Sequence, residues 1–251
     1  MLEHVFRKHI LFLDIETVSI KPDFKRLSPS MQSLWQHKAQ FLDPQGKQTV
    51  EELYARAGIY AEFGKIICIC VGYFVGNRFT IRAFTDDDEG KLLHDFVQML
   101  QRQFPGAPFL MCAHNGKEFD FPYIARRLLI NGFKLPALLD MAGKKPWEVR
   151  HLDTMELWKF GDWKHYTSLA LLTEILGIPS PKGDIDGSQV GKVYWVYRDL
   201  ARIVEYCYRD VLAVAQVFLR FQGQELLDES MIDYPDVAYG RKKPSLPLAF
   251  L

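Results

Sequence analysis

The sequence predicts a mixed α/β domain built around a buried strand that ends in paired carboxylates. Three observations lead there. Ile10-Leu-Phe-Leu runs straight into Asp14-Ile-Glu16-Thr17, and an unbroken apolar run fits a central strand covered on both faces. Lys65 to Phe74 (KIICICVGYF) is a second strand, returned by a Gly76-Asn77 turn into Arg78 to Phe84 as its hairpin partner. Helical patterns then alternate with further short strands, as in one sheet flanked by helices.

Bulk properties narrow the classes. A chain of 251 residues suits one large domain or two small ones. Hydrophobic residues make up 48% and aromatic residues 14%, enough for a sizeable core. Lys+Arg and Asp+Glu are both 31, so no global basic field exists, and any nucleic-acid role must rest on a local patch and a site. Cys68, Cys70, Cys112 and Cys207 form no C-x-x-C pair and sit in apolar stretches. That pattern reads as buried free thiols in a reducing compartment, not as a disulfide frame or a zinc site. Residues 1 to 9 carry Glu3, Arg7 and Lys8, and no run approaches the roughly 20 apolar residues of a membrane span. The expectation is a soluble cytoplasmic protein with no membrane segment.

The elements follow in order. Ser28-Pro29 is an N-cap with Pro at the first helical position, followed by Met31, Leu34, Trp35 and Lys38 at helical spacing. Asp43-Pro-Gln-Gly46 is a turn. Thr49-Val-Glu-Glu52 is a capping box for a short helix with Leu53, Ala57 and Tyr60 on one face. Residues 20 to 63 thus form a helical excursion between two strands. Asp86-Asp-Asp-Glu89 opens a helix with Leu92, Leu93, Phe96, Val97 and Leu100 inward, its acids suited to a positive helix start. Phe109 to Ala113 is a strand, broken by His114-Asn-Gly116, and a helix runs from about Glu118 to Asn131. A loop spans Leu135 to Arg150, and His151 to Met155 is a short strand. Thr167 to Leu176 is helical and stops at Gly177-Ile-Pro179. Ser180 to Gly191 is a Gly-rich loop, and Val193 to Gln222 is one long helix or two abutting ones. From Ser230 the chain is irregular.

Four acids carry the chemistry. Strand side chains alternate, so Asp14 and Glu16 share a face. Two anions at a hydrophobic strand end repel unless a cation compensates, and a hard divalent metal with oxygen ligands suits them. Asp120 follows a strand and lies in the first turn of a helix. Asp210 falls on an apolar helical stripe with Ala213, Val214, Val217 and Phe221 ahead and Tyr206 and Ile203 behind. Singly, each acid has an ordinary explanation: a strand end in solvent, a helix cap, or, for Asp210, a buried ion pair with Arg126 or Arg127. Together they come from a strand, a helix start and a later helix, as converging ligands of a two-metal phosphodiesterase site do. Carboxylates suit Mg²⁺ or Mn²⁺.

Asp14-x-Glu16, Asn115-x-x-x-Phe119-Asp120 and Tyr206-x-x-x-Asp210 resemble, in order, the three exonuclease motifs of the DEDD 3′–5′ exonuclease superfamily, in its tyrosine subclass. The arrangement is most similar to the proofreading exonuclease domain of family-B DNA polymerases in a small stand-alone form. The resemblance spans roughly residues 8 to 222, which sets an expected domain at 1–225, with the helical insertion at about 20–63, and a tail at 226–251. It implies a ribonuclease-H-like fold: a mixed sheet, its first three strands antiparallel, flanked by helices. It implies removal of 3′-terminal nucleotides as 5′-monophosphates with two Mg²⁺ or Mn²⁺ ions. Asp14, Glu16 and Asp210 would hold the catalytic metal. Asp14 would bridge to a second, with Asp120 in its outer shell, and Tyr206 would orient the attacking water. Asn115 and Phe119 would line the 3′-terminal pocket, and Thr17 would offer its backbone or hydroxyl to the 3′ end. Asp153 is a substrate-side candidate by the same resemblance, although as chemistry it equally caps the helix after it. The implied partner is nucleic acid with single-stranded 3′ ends, DNA favoured over RNA; a protein partner is left open.

Trp147, Trp158, Phe160, Trp163, Tyr166 and Trp195, with Lys159, Lys164 and Arg150 nearby, are candidates for stacking bases or for ordinary core packing. Two other functional classes stay open: an inert ribonuclease-H-like module that binds nucleic acid or a protein, and a structural domain whose acids are surface caps.

Overall fold

A computed structural model describes residues 2, 4–162, 166–179 and 184–234. Six strands make one mixed sheet: β1 (Ile10–Ser19), β2 (Gly64–Val75), β3 (Arg78–Phe84), β4 (Leu110–Ala113), β5 (Leu152–Asp153) and β6 (Ile232–Asp233), in the order β5-β4-β1-β2-β3-β6. The first three are antiparallel neighbours, as expected. β4 runs parallel to β1, β5 parallel to β4, and β6 parallel to β3.

Alternation along β1 sorts its side chains between two layers. Ile10 and Phe12 pack with Cys68, Cys70 and residues Val204, Cys207, Val211 and Phe218 of the long α8 (Leu200–Phe221). Leu11, Leu13 and Ile15 pack on the opposite face against Leu93, Phe96 and Leu100 of α3 (Glu89–Gln103) and Phe121, Ile124 and Leu128 of α4 (Asp120–Ile130). Asp14 and Glu16 continue the parity of Phe12, so they face α8.

The excursion folds as its caps dictate. Ser28 accepts a hydrogen bond from Met31 N at the start of α1 (Pro29–Leu42), and both halves of the Thr49–Glu52 capping box are formed at α2 (Val50–Tyr54). Trp35 anchors a separate small core with Tyr54 and Phe63, and its indole N–H donates to Val50 O at 3.1 Å. The excursion docks tightly on the end of β1: a Cβ at Gly58 would lie 3.0 Å from the Val18 carbonyl carbon, and Tyr123 Oη donates to Gly58 O at 2.7 Å.

Several elements differ from the sequence expectation, each for a local reason. The helix after β4 begins at Asp120, because Asn115 stands at φ +62° and Phe119 at ψ −74° outside the helix. The strand expected at His151 to Met155 is only two residues long; the Asp153 side chain accepts from Met155 N and Glu156 N and starts α5 (Thr154–Lys159). α6 (Leu169–Ile175) is capped by Ser168. Of the two arrangements expected from Val193, the structure has two abutting pieces and not one helix. The short α7 (Val190–Lys192) runs into a π-helical turn at Val193–Tyr197, Arg198 takes φ +55°, and Asp199 caps α8. Past Ser230 the chain is not wholly irregular, since Ile232 and Asp233 add β6 beside Phe79 and Thr80.

Glu89 starts α3 as expected, and it is also buried: it accepts from Ile66 N at 2.7 Å and is held by Arg127, whose Nε lies 2.9 Å from Glu89 Oε1. Arg127 also donates to Ala61 O at 2.8 Å, so one ion pair joins α3, α4, β2 and the excursion. Arg127→Met leaves a buried, unpaired carboxylate and is expected to cost about 3–5 kcal/mol in chemical denaturation, with Glu89→Leu/Arg127→Met recovering part of the loss.

Candidate active site

The site forms where β1 outruns β4. The parallel pairing ends at Phe12 and Cys112, and β4 ends at Ala113, so a crack opens at the carboxyl ends of both strands. In open α/β sheets such a crack is where ligands bind. Ile15 N, left without a β4 partner, donates to Asp120 Oδ1 at 3.1 Å, which fixes the first residue of α4 between Asp14 and Glu16. A register shift between Glu16 and Thr17 marks a bulge at the same point, and bulges re-aim side chains beside functional sites.

α8 closes the crack from the other layer with Tyr206 and Asp210, spaced one helical turn apart. The Tyr206 hydroxyl hydrogen-bonds the Asp210 carboxylate. Asp14, Glu16, Asp120 and Asp210 therefore converge, and their electrostatics record it. Burial pushes the Asp14 carboxyl well above its usual range, reinforced by Cys207, Glu16, Asp120 and Asp210. Burial does the same to Glu16, with Cys207, Asp210 and Asp120 adding to it. Asp120 is pushed up to about 7 by burial, against the pull of its backbone hydrogen bonds. Burial raises Asp210 to about 6, partly offset by the Tyr206 hydroxyl. Tyr206 is raised by burial and by Asp210, Glu16 and Asp14, so its hydroxyl stays protonated.

Among the described residues no Lys or Arg forms an ion pair with these four acids, and Arg127, one of the two partners considered for Asp210, is spent on Glu89. Asp14 Oδ2 is buried without a hydrogen-bond partner. An orphaned carboxylate oxygen among mutually repelling acids fits a divalent cation bound by oxygen ligands.

The Asn115 loop is shaped by Asp153. Asp153 is buried, and its carboxylate accepts from Asn115 N at 2.9 Å, Lys117 N at 3.1 Å and Met155 N at 2.9 Å. Of its two sequence readings, these bonds follow the capping one and add a loop-bracing role. Gly116 is required by close approach, because a Cβ there would meet Ala113 Cβ at 2.4 Å. Asn115 Oδ1 is buried and unpartnered beside the acids' strand end. Phe119 is half-buried, its ring 5.3 Å from Tyr123. Thr17 follows the bulge and pairs with Ile66 of β2.

The aromatic group does not gather in one place. Trp158 stacks on Phe221, and Trp195 packs against the α8-side core. Trp147, Phe160 and Tyr166 are exposed, while Trp163 and Lys164 lie outside the described residues. Sequence reasoning missed Cys207, whose sulfur lies within 4.8 Å of ligand oxygens of both Asp14 and Glu16. Its position three residues before Asp210 on the same helix was the available signal.

A family model described as a predicted 3′–5′ exonuclease related to the exonuclease domain of PolB matches residues 59–232, more than half of the chain. The chain belongs to that family. The matched span of this exonuclease holds Asn115, Phe119, Asp120, Tyr206 and Asp210; Asp14 and Glu16 on β1 precede it. Among solved structures, the family B DNA polymerase of the hyperthermophilic archaeon Pyrobaculum calidifontis superposes with a TM-score of 0.53 at 13% identity, over 84% of this chain and 24% of the polymerase. The exonuclease thus spans about a quarter of that polymerase, and at this identity the likeness is one of fold: the ribonuclease-H-like sheet with flanking helices. No helix among the described residues is long and apolar enough to cross a membrane.

Proposed function

We propose that this exonuclease hydrolyses the terminal phosphodiester of single-stranded nucleic acid, DNA in preference to RNA, from the 3′ end with two Mg²⁺ or Mn²⁺ ions, releasing 5′-mononucleotides. The observation that carries the reading is the convergence of Asp14, Glu16, Asp120 and Asp210, each with its pKa raised by burial, together with an orphaned Asp14 oxygen.

Asp14, Glu16 and Asp210 would hold the catalytic cation, with Asp14 and, further out, Asp120 serving the second. When bound, the cations supply an activated water and charge neutralisation at the leaving oxygen. The water oxygen forms a bond to phosphorus, the P–O3′ bond breaks, and the departing 3′ oxygen takes up a proton. Asp120 serves a second purpose by pinning Ile15 N, which holds Asp14 and Glu16 at fixed spacing. Tyr206, neutral and bonded to Asp210, positions the water. Asn115 Oδ1 offers an acceptor to the terminal nucleotide and Phe119 an apolar wall. Thr17 offers its backbone or hydroxyl to the 3′ end. The exposed Trp147, Phe160 and Tyr166 are available to stack on bases upstream.

Tyr206→Phe is expected to lower kcat roughly 10- to 100-fold, as loss of an outer-shell partner does, while substrate KM stays within a small factor. The reading itself is tested with 5′-labelled single-stranded DNA and RNA of one sequence, Mg²⁺ or Mn²⁺, and an EDTA control. A metal-dependent ladder shortening from the 3′ end of DNA first is the expected result. Intact strands of both kinds beside a folded, metal-binding protein would instead favour a binding module.

A further inference from the structure

Three cysteines have no part in the chemistry above. The sulfurs of Cys68, Cys70 and Cys207 all lie within 4.8 Å of one another, and Cys68 Sγ is 3.6 Å from Cys70 Sγ. The β1–β2 register sets Cys70 opposite Asp14 and Cys68 opposite Glu16. Cross-strand partners share a face, so two thiols stand beside two carboxylates on the side that α8 covers. Cys207 completes the group from α8, and its thiol donates to the Asp14 backbone oxygen at 3.4 Å. Asp14, Glu16 and Cys207 also offer ligand atoms within 4.8 Å of one another, so the thiol group and the carboxylate pair meet at Cys207.

Single buried cysteines are ordinary core residues, and Cys112, which joins neither group, is one. Three in mutual reach are a different chemical object. Tetrahedral zinc with Zn–S near 2.3 Å sets its sulfurs about 3.8 Å apart. The Cys68–Cys70 pair is already at that spacing. Thiolate donors favour zinc-group cations, whereas Mg²⁺ and Mn²⁺ favour oxygen.

We propose that Cys68, Cys70 and Cys207 form a thiolate site for a zinc-group cation, adjoining the Asp14 and Glu16 carboxylates through Cys207. Each thiol that becomes a ligand releases one proton to solvent. The thiols themselves are fully buried, and the half-buried Asp14 is the entry step. A cation held there sits beside Asp14 and Glu16 at Cys207 and repels Mg²⁺ or Mn²⁺ from that pair, so zinc inhibits the nuclease. That consequence rests on the proposed nuclease activity; the binding does not.

The test uses the full chain, reduced and metal-free, titrated with Cd²⁺ and followed by thiolate-to-metal charge-transfer absorption in the ultraviolet. A band saturating at one equivalent is expected, with affinity weakened at least about tenfold in Cys68→Ala and in Cys70→Ala. X-ray absorption of the wild-type chain with one equivalent of Zn²⁺ needs no variant and is expected to show sulfur near 2.3 Å. Half-inhibition by Zn²⁺ in the Mg²⁺ reaction is expected to need at least about tenfold more Zn²⁺ in Cys70→Ala, each protein normalised to its own zinc-free rate. No charge-transfer band, or a zinc shell of oxygen and nitrogen alone, overturns the site and leaves the nuclease reading standing. A band with sulfur ligation but no zinc-free cleavage supports the site and sinks the nuclease reading instead.

Discussion

Asp14→Asn is expected to lower kcat at least about a thousandfold while the protein stays folded. A metal ligand supplies several kcal/mol of transition-state charge stabilisation, and each decade of rate is worth about 1.4 kcal/mol. Asn keeps the volume and removes the charge. Asp14 sits in a central strand between fully buried Leu13 and Ile15, so the backbone around it has no room to rearrange. Asp210→Asn acts on the same site from α8 and is expected to cost a comparable factor. The double variant should lose little more than either single, because ligands of one site fail together. The measurement is single-turnover cleavage of 5′-labelled DNA, with circular dichroism to confirm the fold. Near-wild-type cleavage by a folded double variant would remove both residues from the site.

The second large effect is on stability and its pH dependence. In the metal-free protein the folded-state acidities of Asp120 and Asp210 stand at about 7 and about 6, against 3.8 for an unburied aspartate, and Asp14 and Glu16 are raised as well. Each unit is worth about 1.4 kcal/mol, so the combined penalty for ionising the cluster is several kcal/mol. Its sign follows from linkage. The unfolded chain gives up these protons first, so the folded state loses stability as pH rises from near 4, through about 6 for Asp210 and about 7 for Asp120, with Asp14 and Glu16 adding to the loss in the same direction. Metal-free protein is therefore expected to melt at a higher temperature at pH 5 than at pH 8. Mn²⁺ stabilises the charged carboxylates and should raise Tm far more at pH 8 than at pH 5. Asp14→Asn should remove part of the pH slope. His151 works against this trend: Met111 N donates to its Nδ1 at 3.1 Å, and burial holds its pKa below 6.5, so it adds stability above that pH. A metal-free Tm that rises steadily from pH 5 to 8 would mean the acids do not share one buried site.

Much of the architecture was readable because it depends on local chemistry. Ser28-Pro29 and the Thr49–Glu52 box start their helices through hydrogen bonds within four residues, and Gly76-Asn77 turns its hairpin without help from elsewhere. Asp14 and Glu16 could be paired from alternation alone. What the sequence hid was mostly a partner distant in the chain. Glu89 starts α3 as its acid run suggests, but its burial depends on Arg127, 38 residues away. Ile232 and Asp233 looked irregular because two residues gain strand geometry only from β3. Of the two arrangements open for Val193 to Gln222, the left-handed Arg198 at φ +55° selects two pieces over one helix.

The sequence by itself determined the chemistry available to this protein: four carboxylates and a tyrosine in an order and spacing that suit metal-assisted phosphodiester cleavage. Residue type and periodicity act locally, and both survive in a string of letters. Only the tertiary structure decided which groups meet. β4 stops short of β1 and frees Ile15 N for Asp120, Asp153 braces the Asn115 loop, and α8 brings Cys207 over Cys68 and Cys70. Those contacts are set by strand order and by helix packing across the sheet, which join Asn115 to Asp153 across 38 positions and Ile15 to Asp120 and Asp14 to Cys207 across more than a hundred.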